Sequence, residues 1–534
     1  MLKLLDCTLR DGAYIVEAKF GISAIRGIVN KLQDAGVDII ECGWLKDNEH
    51  VSGTTYYHVP SDFEQYLLHK DSKTIYVAMI DWNRYDVTNL PPYDGRSIDA
   101  VRVVFPHEHY REGIAVGAAV QKKGYKVYFQ AANTLAYSGE ELKELASLVN
   151  EVKPEGLAIV DTFGAMYEDD LDRIAKTLDE NLDTGIGLGF HSHNNQQMAF
   201  ANCIYFAQLI AMMSRDGIID ASLNGMGRGA GNATTELVAN YLNNKLDGQY
   251  SLDSIMDAID VYMEGFSRRY TWGYSTANYI AGIYCCHVNN IAYLQNNHRT
   301  SFHDMRQIIE SLPSEDRKLY DYDLLEEKYI SNQDRQVDDD TAISSIIDSV
   351  SRKGKVLLVA PGRSSVDAKE TICEFITENK PLIIGVNALL EEYKYDYLFI
   401  TNKARYEYAR TTHIEAFAST PKILLSNIKT TGGVDEQIVN YSRAIKRGWK
   451  HFDNAVICCL RLLNQLGVTD VYLAGFDGFK NDYNLSYADK MLPTLNPEGK
   501  WDELNAEIID MYRDVKNTAS SMRITFITES IFNI

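Results

Sequence analysis

Cysteine is scarce and unpatterned in this chain. Eight cysteines are spread over 534 residues, with no Cys-x-x-Cys, and Cys285-Cys286 and Cys458-Cys459 are direct neighbours. That is a poor basis for a disulfide framework, and a reducing cytoplasm is the expected compartment. Basic charge is also short: 53 Lys+Arg against 74 Asp+Glu leave a net charge of −21. Nucleic acid is therefore not an expected partner, because phosphate backbones are bound by basic surfaces. No apolar run is long enough to span a bilayer, which argues against a membrane partner. The opening residues Met1–Asp6 read as a strand, without the layout of a signal peptide. What remains is a globular chain too long for one ordinary core, so two or three domains are expected.

The first half carries eight apolar, strand-like runs: Leu2–Leu9, Val37–Leu45, Thr74–Ile80, Ala100–Phe105, Lys126–Ala132, Gly156–Phe163, Gly185–Phe190 and Ile218–Leu223. Amphipathic segments such as Ile22–Ala35 and Gly139–Val152 lie between them. Eight such units in order predict an α/β fold of the TIM (β/α)8 barrel type rather than an open doubly wound sheet. Barrel chemistry sits at the C-terminal strand ends. There the sequence places Asp6–Gly12, Glu41–Trp44, Gln130 and Asn133, Asp161–Gly164, His191–Asn195 and Asn224–Asn232. His191 and His193, two apart on a strand, point the same way and make a pair of candidate metal ligands. Asp6 and Asp161 either cap loop amides or act chemically. The glycine-rich loop 225–232 either offers its amides to a carboxylate or phosphate or simply packs closely.

Asp-Cys-Thr-Leu-Arg-Asp-Gly (6–12), His-Ser-His-Asn-Asn (191–195) and Gly-Met-Gly-Arg-Gly-Ala-Gly-Asn-Ala (225–233) resemble the three signatures of the DRE-TIM metallolyases. Val160–Met166 adds a likeness to the 4-hydroxy-2-oxovalerate aldolases, and the match spans about residues 1–290. The resemblance implies that Asp11, His191 and His193 ligate a divalent cation, with Asn232 on or near it. One carboxylate, two imidazoles and an amide oxygen suit Mn²⁺ or Mg²⁺. The same two-His-one-carboxylate set serves non-haem Fe(II) oxygenases, against which the barrel and Arg10 argue. Arg10, always cationic and next to Asp11, is the candidate for stabilising enolate charge; its bland reading is a salt bridge at the barrel mouth. One position departs from the oxovalerate aldolases. Three residues beyond the metal aspartate they carry a histidine resembling the general base, and here Tyr14 stands there. Tyr14, Tyr274 and Tyr279 are the acid/base candidates, with His107 and His109 behind them.

The expected activity is a metal-dependent carbon–carbon lyase of the aldolase type, acting on a 2-oxo acid and an aldehyde through an enolate. The rivals are a Claisen-type acyl-CoA synthase and a non-catalytic scaffold on a barrel. A homo-oligomer is the expected assembly.

Residues 1–310 read as the barrel with a helical extension, and 311–352 as a charged connection containing a helix at Thr341–Val350. From 353 to 534 a new α/β pattern predicts a Rossmann-like open parallel sheet, with strands Val356–Ala360, Leu382–Val386, Tyr397–Ile400, Ile423–Leu425 and Val471–Ala474. It lacks Gly-x-Gly-x-x-Gly, so NAD is disfavoured. The turn Gly362-Arg363-Ser364-Ser365 is the candidate phosphate cradle. The region loosely resembles the sialyltransferase-like domains found with surface-polysaccharide genes, which implies a nucleotide or nucleotide sugar as ligand; the alternative is a purely structural or oligomerising domain.

Overall fold

A computed structural model describes residues 1–213, 215–298, 300–430, 435–480, 486–494, 496 and 499–534. It divides into two compact units, Met1–Val288 with Arg317–Leu319, and Asn289–Asp316 with Tyr320–Ile534. The first unit is a closed parallel barrel. Its strands are β1 (Leu2–Asp6), β2 (Ile39–Leu45), β4 (Ile75–Asp81), β5 (Ala100–Phe105), β6 (Lys126–Ala131), β7 (Gly156–Asp161), β8 (Gly187–Ser192) and β9 (Gly217–Ala221), with a two-residue β3 (Tyr56–Tyr57) beside β2. Parallel pairing of β1 with both β2 and β9 closes the ring. All eight expected strands are present within a few residues of their read positions. Two expected helices are not: β2–β4 and β4–β5 are joined by short turns of 3-10 helix. Pro60 in the first connection, and Pro91-Pro92 with Asp94-Gly95 in the second, interrupt any helical period. Elsewhere the helices form where expected. Gly139–Val152 starts with a capping box, in which Ser138 and Glu141 satisfy each other's backbone N–H groups.

The barrel interior is layered. Leu5, Ile39, Val77, Ala100, Tyr128 and Ile218 make an apolar floor. Two residues further along the same strands, and so on the same face, come Glu41, Arg102, Gln130 and Asp220, all buried. The charged layer is thus a direct consequence of strand periodicity, and it lies beneath the mouth.

The second unit is a seven-stranded sheet in the order β14-β13-β12-β11-β10-β15-β16, parallel throughout. The strands are β10 (Val356–Val359), β11 (Leu382–Val386), β12 (Tyr397–Ile400), β13 (Lys422–Leu425), β14 (Glu436–Val439), β15 (Asp470–Ala474) and β16 (Arg523–Phe526). The strand order reverses between β10 and β15. Residues 289–310, read from sequence as part of the barrel, group with this unit. The charged stretch read as a connection is helical over Tyr322–Gln333 and Asp340–Lys353. Leu325 and Tyr329 on the first helix, and Ala342, Ile346 and Val350 on the second, are buried, so these helices pack as part of the unit. No described helix is long and apolar enough to cross a membrane. All eight cysteines are unbridged.

Candidate metal centre

Asp11 lies at the end of a short helical turn, Thr8–Asp11, that follows β1. His191 is on β8 and His193 just beyond it, where His193 bridges to Asn232. The ligand atoms of Asp11, His191 and His193 all lie within 4.8 Å of one another. Asn232 joins them: its Nδ2 donates to Asp11 Oδ2 at 2.6 Å. Its Oδ1 is buried without a hydrogen-bond partner, and a buried amide oxygen left so is costly unless something accepts its lone pair. Burial would raise Asp11, but Arg10 first, then His193 and His191, hold its carboxyl at about 2. Burial pushes His193 down to about 4. An ionised carboxylate, a neutral imidazole and an orphaned amide oxygen converging in one place fit a divalent cation.

The charged layer below holds these groups in place. Arg10 Nε donates to Glu41 Oε2 at 2.7 Å, and its Nη1 to Asp11 Oδ1 at 2.9 Å. Arg102 pairs with Glu41 at 3.0 Å and with Asp220. Asp220 Oδ2 in turn lies 3.0 Å from His191 Nδ1. Burial works against Asp220, yet Arg102 and His191 outweigh it and keep the carboxyl below its ordinary range. An ionised Asp220 accepting Nδ1–H leaves His191 Nε2 as the lone pair for a metal. Arg102 therefore ties the arginine on one side of the centre to the histidine on the other. Asp220→Asn should weaken Mn²⁺ binding about 10–100-fold, the usual cost of losing a group that orients a ligand; calorimetric titration checks it.

The cavity above is lined by Arg10, Asp11, His191 and His193 together with Tyr14, Trp44, Asp81, Gln130, Arg228 and His287, among others. Tyr14 lines this cavity. Desolvation outweighs the pull of Arg228 and Arg10 and pushes its hydroxyl up to about 12. Tyr274 and Tyr279 do not line the cavity; both are exposed, at 58% and 41%. Tyr279 sits on the helix Thr276–Ile283, whose other face, with Ala277, Ile280 and Ala281, is buried. His107 pairs with Glu141, and His109 stacks on Trp82. Asp6 accepts from Thr8 N and Thr235 Oγ1, and Asp161 from the amides of Ala165 and Met166, so both hold loops. The glycine-rich loop is close packing. A Cβ on Gly227 would lie 2.6 Å from Asp11 Oδ2, and one on Gly231, at φ +80°, would strike the Gly225 carbonyl. Sequence reasoning missed Arg102, Asp220 and His287.

In the second unit, two amides of the turn 362–365 are engaged within the chain. The Gly362 amide donates to Gly475 O at 2.8 Å, and the Ser364 amide to Asp477 Oδ2 at 2.7 Å. Asp477 also accepts from the Ser364 hydroxyl. A cleft lies beside this turn, at the ends of β10, β11, β12 and β15. Asn387, Asn402, Arg405, Asp453 and Tyr487 are among its lining, as is Gly362 of the turn, whereas Arg363, Ser364 and Ser365 are not.

A family model described as HMGL-like matches residues 107–261. A 4-hydroxy-2-oxovalerate aldolase of Thermomicrobium roseum is 30% identical over 278 residues, covering 48% of this chain and 71% of the relative. The chain belongs to the HMGL-like family of DRE-TIM metallolyases. An oxaloacetate decarboxylase of Mycobacterium tuberculosis is 28% identical over 272 residues, covering 49% of this chain and 77% of the relative. Among solved structures, an HMG-CoA lyase of Bacillus subtilis is similar with a TM-score of 0.40 and 17% identity, over 50% of this chain and 93% of that one. Membership makes this metallolyase a metal-dependent lyase of the aldolase type, with Asp11, His191 and His193 grouped as a metal set.

Proposed function

We propose that the barrel cleaves or forms a carbon–carbon bond next to the keto group of a 2-oxo acid, by aldol chemistry through an enolate. The observation that carries this is the cavity in which Asp11, His191, His193 and Asn232 converge beside Arg10. Those four residues would hold a Mn²⁺ or Mg²⁺, which would supply Lewis acidity toward the keto oxygen. Arg10, fixed by Glu41 and Asp11, presents a permanent positive charge where the enolate oxygen's charge develops. Tyr14 retains its proton near neutrality and so serves as a hydrogen-bond donor or wall toward the hydroxyl-bearing carbon. Met79, Val104, Ala132, Val160 and Phe163 form the apolar side of the cavity and limit water around the enolate.

A metal-supplemented screen of 4-hydroxy-2-oxo acids tests this: pyruvate or a related 2-oxo acid should appear with an aldehyde. Release of free CoA thiol from an acyl-CoA and a 2-oxo acid would support the Claisen-type rival instead.

For the second unit we propose a nucleotide or nucleotide sugar as ligand, in the cleft that Gly362 of the turn helps to line. The support is its position outside the strand ends where the order reverses, the usual ligand crevice of open parallel sheets. Titrating the full chain with a panel of nucleoside mono- and diphosphates should show binding that Arg405→Gln weakens. Heat-silent titrations across the panel would favour a structural role for this unit.

A further inference from the structure

The apolar side of the barrel cavity is interrupted by Gln130, which the proposed chemistry leaves without a task. Gln130 stands on β6, four strands from β1 in either direction round the ring. It therefore lies across the barrel from the strand that delivers Arg10 and Asp11. Its side chain points inward, on the same strand face as Ala132, and both residues line the cavity. Gln130 is 3% exposed, yet its side-chain amide has no hydrogen-bond partner among the described residues. Its neighbours explain this. Level with it stand Val104 on β5 and Ala158 on β7, and Gly189 on β8 is level with Ala158. None of these three offers a side-chain donor or acceptor. A buried amide is costly unless something that enters the cavity pairs with it.

The amide defines the chemistry of that partner. It offers an acceptor at Oε1 and donors at Nε2, and a hydroxyl satisfies both because it donates and accepts. A hydrocarbon chain satisfies neither. A carboxylate accepts only, which leaves Oε1 unpaired. Asp81 is an independent observation that points the same way. It stands level with Val104 on β4, on the side away from Gln130. It lines the same cavity, with Arg84 Nε 3.6 Å from its Oδ2. A carboxylate on this wall accepts from hydroxyls and repels a second carboxylate. The wall of Asp81, Val104 and Gln130 thus matches a hydroxylated chain. The carboxylate and keto oxygen of a 2-oxo acid are provided for by the metal set and Arg10. The part of the substrate left to reach this wall is the part beyond the bond that breaks, which is released as the aldehyde.

We propose that Gln130 hydrogen-bonds a hydroxyl on the substrate chain beyond the bond that breaks, so that the barrel's aldehyde partner is a hydroxyaldehyde. This rests on the reading of the barrel as a 2-oxo acid lyase and narrows its substrate class.

The test runs the full-length, Mn²⁺-loaded protein in the direction of addition. C3 of pyruvate gives up a proton and bonds to the aldehyde carbon, whose oxygen takes up a proton to become the new hydroxyl. The probes are hydroxyaldehydes of two, three and four carbons. Each is compared with the aldehyde that has a methyl in place of the hydroxyl, and with one that has a carboxylate there. Wild type should show kcat/KM roughly 10–100-fold higher for the best-matched hydroxyaldehyde than for its methyl partner, the usual cost of leaving a buried polar group unpaired. Gln130→Leu and Gln130→Met, both apolar and of similar size, should erase that ratio; thermal melts verify that each variant is folded. Equal kcat/KM for hydroxyl and methyl probes at every length, a preference for the carboxylate arm, or a hydroxyl preference that survives in a folded Gln130 variant overturns the proposal. Pyruvate C3 proton exchange by the same wild-type preparation separates the two readings. Exchange without a hydroxyl preference, including exchange with no addition to any probe, overturns the Gln130 assignment alone. Absence of both exchange and addition overturns the lyase reading, and the Gln130 proposal falls with it.

Discussion

In Asp11→Asn protein, Mn²⁺ binding should fall below detection and lyase activity should vanish while the barrel remains folded. The substitution keeps the shape of the side chain and removes its charge. It deletes the only carboxylate of the Asp11, His191, His193 set. It also removes the anion that Arg10 Nη1 meets at 2.9 Å, leaving more positive charge facing the place where a cation would bind. His191→Ala should act similarly by deleting an imidazole that Asp220 orients. The barrel should survive either change, because its apolar floor and its helix-packed outer core do not depend on these side chains. Calorimetry with Mn²⁺ and circular dichroism on the same samples check both halves of the expectation. Full activity in either variant under limiting metal would remove that residue from the centre.

Arg10→Lys should lower kcat by about 10²–10³-fold, the cost typical of losing a preorganised donor aimed at developing negative charge. Lysine keeps the charge but loses the planar fork. Arg10 uses Nε for Glu41 and Nη1 for Asp11, and it packs 5.8 Å from the Trp44 ring centre. A single ammonium on a flexible stem cannot satisfy both carboxylates and also face the substrate. Because one of those carboxylates belongs to the metal set, Mn²⁺ affinity should fall as well, by about 10-fold. Measuring kcat at saturating metal separates the two effects. A kcat equal to wild type would leave Arg10 as a structural salt bridge.

The barrel was legible because parallel strands covered on both faces read as continuous apolar runs. In the second unit the strands not read from sequence, β14 and β16, are the two edges of the sheet. Their sequences, Glu-Gln-Ile-Val and Arg-Ile-Thr-Phe, alternate or begin polar because an edge is half exposed. In the candidate site, the motif residues Arg10, Asp11, His191, His193 and Asn232 came together as read. Arg102 and Asp220 were missed, although a signal existed. Each is a lone charge inside a buried run, Ala-Val-Arg-Val-Val-Phe and Gly-Ile-Ile-Asp-Ala, and such a charge is tolerated only when paired. Tyr274 and Tyr279 lie in the stretch Trp272–Tyr279. The chain there turns both rings to solvent, which local pattern alone does not disclose. His287 had no signal of its own, since only the folded chain brings it to Arg228.

The most direct measurement of the central claim is hydrogen–deuterium exchange at C3 of pyruvate, followed by NMR in D₂O with and without Mn²⁺ or Mg²⁺. Exchange reports enolate formation at the reacting end of the cavity without requiring the identity of the aldehyde. The account expects exchange that depends on added metal, that is lost in Asp11→Asn and that is strongly reduced in Arg10→Lys. Exchange that proceeds equally without metal, or that persists in Asp11→Asn, would contradict it.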